Sequence, residues 1–295
     1  MSNIKIITDS CADIPKDLRD KYKIDYLKMK TVRDGMETPA DLDWAYFTPE
    51  KFYDSLRGGA RITTSPVSQS EMIMRFRSFL EQGFEIIYVA CSGKMSASVF
   101  TAEHVAERLA PEFPDGKIFC IDSLNASMGE GLLAIRAAEL RDMGKTAEEI
   151  NDEVCAVRNN VNQFVTVHSL STLRQAGRVT VSSAFFGDLL DVKPVIISDI
   201  SGNNLPIKKV KGRSNSISEL VKLTAESIEE PQTQTIFVLH SDCLGEAEMT
   251  AQLLRESIDC REVRICTIGA VSGASIGADA LAVFSFGKSV KRFAV

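Results

Sequence analysis

Short runs of β-branched and aliphatic residues alternate along this chain with segments of helical period, and that alternation confines it to one broad class of fold, a parallel sheet layered with helices. The first run, Ile4-Lys5-Ile6-Ile7-Thr8, leads to a helix opened by Pro15, whose fixed φ suits the first helical position. Next come Phe84-Glu85-Ile86-Ile87-Tyr88-Val89-Ala90-Cys91, a helix from about Ser96, the run Lys117-Ile118-Phe119-Cys120-Ile121 and a long alanine-rich helix after Asn125. These strand–helix units predict a doubly wound, Rossmann-like half.

A second half is expected to begin near residue 160, dividing the chain into 1–160 and 161–295. Thr146 and Glu149 have capping-box spacing for a helix reaching about Asn159. Strands resume at Phe164-Val165-Thr166-Val167 and Pro194-Val195-Ile196-Ile197. Between Ser198 and Lys211, the turn Asp199-Ile200-Ser201-Gly202-Asn203-Asn204 separates two strand-like runs, the pattern of a β-hairpin set into an α/β half. Helix 214–229, strand 235–240, helix 244–257, strand 262–268 and a last strand near 281–287 complete the pattern. With no long linker, the halves should share an interface, and a cleft between them is the natural pocket.

Composition excludes several functions. With 34 basic against 40 acidic residues, net −6, there is no electropositive face for a nucleic-acid backbone. The opening MSNIKIITDS lacks the basic and apolar regions of an export signal, so the chain is expected in the cytoplasm. No window approaches the roughly 20 apolar residues of a spanning helix, so any membrane contact should be transient and peripheral. Seven cysteines, an odd count without a C-x-x-C pair, argue against a disulfide framework and a zinc site.

Hydroxyl-rich segments fall where strands meet helices. Thr8-Asp9-Ser10 closes the first strand at the carboxyl edge, where open α/β sheets bind ligands. Thr63-Thr64-Ser65-Pro66-Val67-Ser68 holds four hydroxyls before a helix over 71–82, and an N-cap at Ser68 or Ser70 explains only one of them. Ser92-Gly93-Lys94-Met95-Ser96-Ala97-Ser98 combines hydroxyls with the free amides of a helix start, a site for an anion. Asp122 to Gly129 is a further turn at the same edge, whose small residues would admit a ligand or a second domain but which reads first as a capped helix start. Gly177 ends a helix and leaves Arg178 in the connection, suited either to phosphate or to a solvated cap.

Two strings carry less. Gly287-Lys288-Ser289 makes a poor P-loop because Ala282 stands at the first glycine's place, so nucleotide binding is weakly supported. Gly273-Ala274-Ser275-Ile276-Gly277 spells a nucleophile elbow and raises a serine hydrolase as the alternative function. Yet His104, His168 and His240 all precede Ser275, the wrong order for that fold.

Taken in order, these segments resemble the DegV family of fatty-acid-binding proteins. Ile7-Thr8-Asp9-Ser10 with Asp13-Ile14-Pro15 is similar to the family's I-T-D-S-x-x-D-L-P, Thr64 to Ser68 to T-S-Q-P-S, and Ser92 to Ser96 to S-S-G-L-S-G-T. Asp122 to Gly129, Leu173 to Val179, Leu190 to Pro194 and Ile268 to Val271 resemble D-S-x-x-x-S-x-G, L-x-K-G-G-R-I, L-L-x-I-K-P and the start of I-G-P-V-I-G-T-H-T-G-P-G.

The resemblance implies a two-domain α/β fold whose N-terminal domain carries carboxylate-binding loops and whose second domain, containing a β-hairpin, covers the acyl chain. It implies a non-catalytic carrier of one long-chain fatty acid in a buried tunnel, without a cofactor or metal. Its carboxylate would meet the neutral donors of Thr63, Thr64, Ser92, Gly93 and Ser96, with Ser275 at the place of the family's usual histidine, so that an imidazole contact is lost. Arg178 matches the arginine associated with presenting the acid to a fatty acid kinase, while the family's second basic motif survives only loosely around Lys211 and Arg213.

Overall fold

The structure is a computed structural model that describes residues 3–180 and 191–290. Leu190, quoted above for one motif, lies outside the described residues. The chain begins with β1 (Ile4–Asp9), α1 (Lys16–Tyr22) and β2 (Ile24–Leu27), then β3 (Lys30–Arg33), β4 (Met36–Pro39), α2 (Pro49–Arg57) and β5 (Ile62–Ser65). It continues with α3 (Gln69–Glu81), β6 (Glu85–Ala90), α4 (Ser98–Leu109), β7 (Ile118–Asp122), α5 (Met128–Asp142) and α6 (Ala147–Val157). The later elements are β8 (Val161–Thr166), α7 (Ser171–Ala176), β9 (Val192–Ser198), β10 (Asn204–Lys211), α8 (Arg213–Ser227), β11 (Thr235–His240), α9 (Leu244–Ser257), β12 (Glu262–Thr267), α10 (Ala270–Ile276) and β13 (Leu281–Phe286).

Among the described residues three sheets result. Strands β2-β1-β6-β7 form a parallel sheet, β10-β9-β8-β13-β11-β12 a mixed one, and β4-β3-β5 a small antiparallel one. The predicted hairpin is the antiparallel pair of β9 and β10. The last strand, β13, enters the middle of its sheet, antiparallel to both β8 and β11. The chain crosses from the first large sheet to the second between α6 and β8.

Local chemistry sets most element starts. Thr146 and Glu149 form the capping box, and Ser68 caps α3 by accepting from the Glu71 amide. Pro15 is the residue before α1, one place earlier than expected, and α4 starts at Ser98, two residues later. The segment from 24 to 65 gave no periodic signal because its strands are four residues long, too short for alternation to stand out.

The two large sheets meet across α5. This helix buries nearly every residue, as its Gly, Ala and Leu content permits, because both faces are covered. Leu132, Leu133 and Ile135 share one apolar core with Ile6 and Val89 of the first sheet and with Val165, Ala282 and Phe284 of the second. The carboxyl edge of the parallel sheet thereby faces the second sheet and α10, with a cavity between them.

Candidate functional site

Loops at the ends of the parallel strands supply one wall of that cavity: Cys11 after β1, Cys91 after β6, and Ala126 and Ser127 after β7. Val165, Ala282 and Phe284 from the second sheet, with Leu173, Val271 and Ile276, make the rest mainly apolar. The centre of a water-sized sphere has about 80 Å³ to move in. A wider mouth, about 300 Å³ on the same measure, adjoins it, and Met29, Thr64, Met95, Ser96 and Arg178 line both.

Each of these polar side chains arrives by a definable route. Thr64 lies on β5, opposite Thr31 of β3 in the small sheet. The Ser96 hydroxyl accepts from the Ser98 amide (3.2 Å) and lies 3.0 Å from the Ser98 hydroxyl, at the approach to α4. Ser275 sits on α10, which is seated by Tyr53: its hydroxyl donates to the Ile268 carbonyl (2.6 Å), and its ring fills the space beside Gly273.

The hairpin places Arg178. Its tip reaches the first domain, where the Ser92 hydroxyl donates to the Gly202 carbonyl and that of Ser198 to the Leu124 carbonyl, both at 2.8 Å. Gly202 has φ +85° and its Cα is so close that an added Cβ would stand 2.3 Å from Ser92 Oγ. Asn204 then donates to the Arg178 carbonyl (2.9 Å), while Arg178 Nε donates to the Met95 carbonyl (3.1 Å). The guanidinium is thus fixed in the cavity wall, half-buried.

Of the residues proposed from sequence, Thr64, Ser96, Ser275 and Arg178 converge on the cavity, and Gly93 on its mouth. Thr63 points the other way along β5 and is exposed, and Ser92 is fully buried against Gly202; neither lines either space. The amides from Gly93 to Ser96 are engaged internally, by Asp122 Oδ1, Ser92 Oγ and the Ser92 carbonyl. Donors to an anion here are therefore the side-chain hydroxyls and Arg178 rather than an open amide nest.

Other sequence readings are corrected. Gly273 to Gly277 closes α10 and is no strand-to-helix elbow, so Ser275 lacks the exposed, strained seat of a hydrolase nucleophile. Arg213 is tied to Glu246 and to the carbonyls of Thr166 and Asp279, which occupies the basic motif it was matched to.

Sequence reading missed a buried acidic layer behind the cavity. Asp9 accepts from the Cys11 and Cys91 amides (2.8 and 3.3 Å) and from the Tyr88 hydroxyl (3.2 Å); burial raises its pKa to about 6. Asp13 accepts from Ser127 and from the Gly269 amide (3.0 Å), joining the first loop to α10, and burial raises it to about 7. Glu130 on α5 accepts from Thr8 (2.6 Å) and is held well above its usual range by burial and by Asp9. The carboxyl edge after Thr8-Asp9-Ser10 was the available signal, but nothing in sequence points to Glu130.

A family profile described as "Uncharacterised protein, DegV family" matches residues 3–288. A DegV domain-containing protein of Clostridium perfringens is 34% identical over 287 residues, covering 97% of this chain and 98% of the relative. Among solved structures, a DegV family protein from Thermus thermophilus, described by its fatty acid binding, superposes with TM-score 0.85 at 25% identity, covering 96% and 99% of the two chains. One from Ruminococcus gnavus, refined with vaccenic acid, gives 0.86 at 20% identity, covering 97% and 100%. A profile match along nearly the whole length and a 34% identical relative together establish that this chain belongs to the DegV family.

Proposed function

We propose that this protein binds one long-chain fatty acid and does no chemistry on it. The observation that carries this is the convergence of Thr64, Ser96 and Arg178 where a mainly apolar cavity, with Ser275 and a few other polar side chains in its wall, meets its mouth. Three donors at one end of an oily space suit an anionic head with a hydrocarbon tail. The fatty acid binding of the Thermus thermophilus protein and the vaccenic acid of the Ruminococcus gnavus protein support the same ligand class.

Affinity would come from the tail: at about 0.8 kcal/mol per buried methylene, a 16-carbon chain offers roughly 11 kcal/mol before the losses of association. The head fixes orientation. At about 80 Å³ the cavity falls below the ~300–1,000 Å³ of pockets for bulkier ligands, so a slender chain must still push side chains aside. Met29 and Met95 stand at the entry and are unbranched and adaptable.

The division after residue 160 has a functional sense in this reading, with hydroxyl loops contributed from 1–160 and most of the acyl cover from 161–295. Arg178, reaching the mouth, is the residue that would meet a kinase acting on the presented carboxylate.

The deciding experiment is organic extraction and mass spectrometry of the purified protein, which should recover a fatty acid near one per chain. Absence of such lipid, together with no binding of added palmitate, would sink the proposal.

A further inference from the structure

Cys11 and Cys91, far apart in sequence, are brought together because β1 and β6 are neighbours in the parallel sheet and each cysteine follows the carboxyl end of its strand. Their sulfurs and one carboxylate oxygen of Glu130 all lie within 4.8 Å of one another. All three residues are buried, Cys11 at 4%, Cys91 at 3% and Glu130 at 0% exposure. Glu130 Oε1 accepts from Thr8, but Oε2 is buried with no hydrogen-bond partner. A buried carboxylate oxygen without a donor is rare in folded proteins and asks what it faces. Here the Glu130 side chain belongs to a group whose other members are two thiols, and the neighbouring charge is acidic, from Asp9.

We propose that Cys11, Cys91 and Glu130 form a binding site for a thiophilic divalent cation of the zinc class, reached from the cavity. Two sulfurs and one carboxylate oxygen are a donor set that zinc accepts. Donors around tetrahedral zinc stand roughly 3.5–3.8 Å apart, so closing this triad needs shifts of under about 1 Å. Thr8 orients the Glu130 carboxylate, and Asp9 braces the Cys11 and Cys91 amides, the kind of supporting contacts that hold metal ligands in place. Both cysteines line the cavity, which gives the ion an entry path and leaves a fourth coordination position open on that side. On binding, the two thiols and the carboxyl release up to three protons to solvent, and the cation offsets charge in an acidic layer whose own bonds come from hydroxyls and amides. Sequence spacing argued against zinc only because these ligands are not near one another in the chain.

The test is a Co²⁺ titration of the full chain, reduced, stripped by chelator and kept anaerobic, and it does not depend on whether the cavity takes a fatty acid. The expected result is near-ultraviolet thiolate-to-cobalt absorption that saturates at about one ion per chain and is displaced by Zn²⁺. Cys11→Ser and Cys91→Ser should each abolish the band, whereas Cys260→Ser, at a distant loop, should keep it. Glu130→Gln, nearly the same shape, should weaken Co²⁺ binding by about tenfold or more with an unchanged circular dichroism spectrum. No band in the wild-type protein would overturn the site, as would a band that survives either Cys11→Ser or Cys91→Ser, or wild-type affinity in Glu130→Gln.

Discussion

At the scale of single residues, the cavity separates hydroxyls that its neighbours in sequence would make equivalent. Thr64 faces the cavity and Thr63 the solvent, since successive side chains of β5 alternate. Thr64→Ala and Ser96→Ala should each weaken fatty acid binding by about 1–2 kcal/mol through loss of one donor, while Thr63→Ala should leave it unchanged. Competition against a fluorescent fatty acid measures all three. Arg178→Ala should lower affinity for a fatty acid but hardly change that for the corresponding fatty alcohol, because only the former presents a charge; equal losses for both would assign Arg178 a packing role. His240, buried at the end of β11, has its pKa held below the ordinary 6.5 by desolvation. The unfolded chain therefore binds its proton more readily, and stability from this group is present above pH 6.5 and lost as pH falls below it. Denaturation at several pH values should show a smaller acid-side loss in His240→Gln than in the wild type.

Among elements, the β9–β10 hairpin couples the two domains at the site. Its tip sits on Ser92 and Leu124, and its first strand residue beyond the turn holds Arg178 in place. Gly202→Ala would set a methyl group against Ser92 at a backbone angle that L residues avoid, and should cost about 1–3 kcal/mol. Thermal denaturation should show that loss, and fatty acid affinity should fall with it because Arg178 is displaced; destabilisation without any change in affinity would uncouple the hairpin from the site. The hairpin itself was legible from its Asp-Ile-Ser-Gly-Asn-Asn turn. Its docking on Ser92 was not, because a serine before a helix looks the same whether it caps, binds or clamps.

For the molecule as a whole, α5 is the common core of two sheets that would otherwise be separate layers. Leu133 is fully buried there, so Leu133→Ala should destabilise by about 2–5 kcal/mol. Because both sheets pack on the same helix, urea should unfold wild type and variant in a single transition reported alike by probes in either half. Two separated transitions would show that the sheets fold independently. No helix among the described residues is long and apolar enough to cross a membrane.

What the sequence determined by itself is what short-range physics controls. Apolar runs made three of the four strands of the parallel sheet, β1, β6 and β7, Thr146 with Glu149 and Ser68 capped their helices, and Gly and Asn turned the hairpin. The ordered set of hydroxyl loops was enough for the chain to resemble the family. Tertiary structure alone decided which hydroxyls share a cavity, that Arg178 enters it, that β13 divides its sheet, and that Cys11, Cys91 and Glu130 stand together. The physical reason is that side-chain chemistry and periodicity act over a turn or a strand. Proximity across a sheet edge is set by strand order and by burial of α5 between two layers, and neither leaves a mark at any one position.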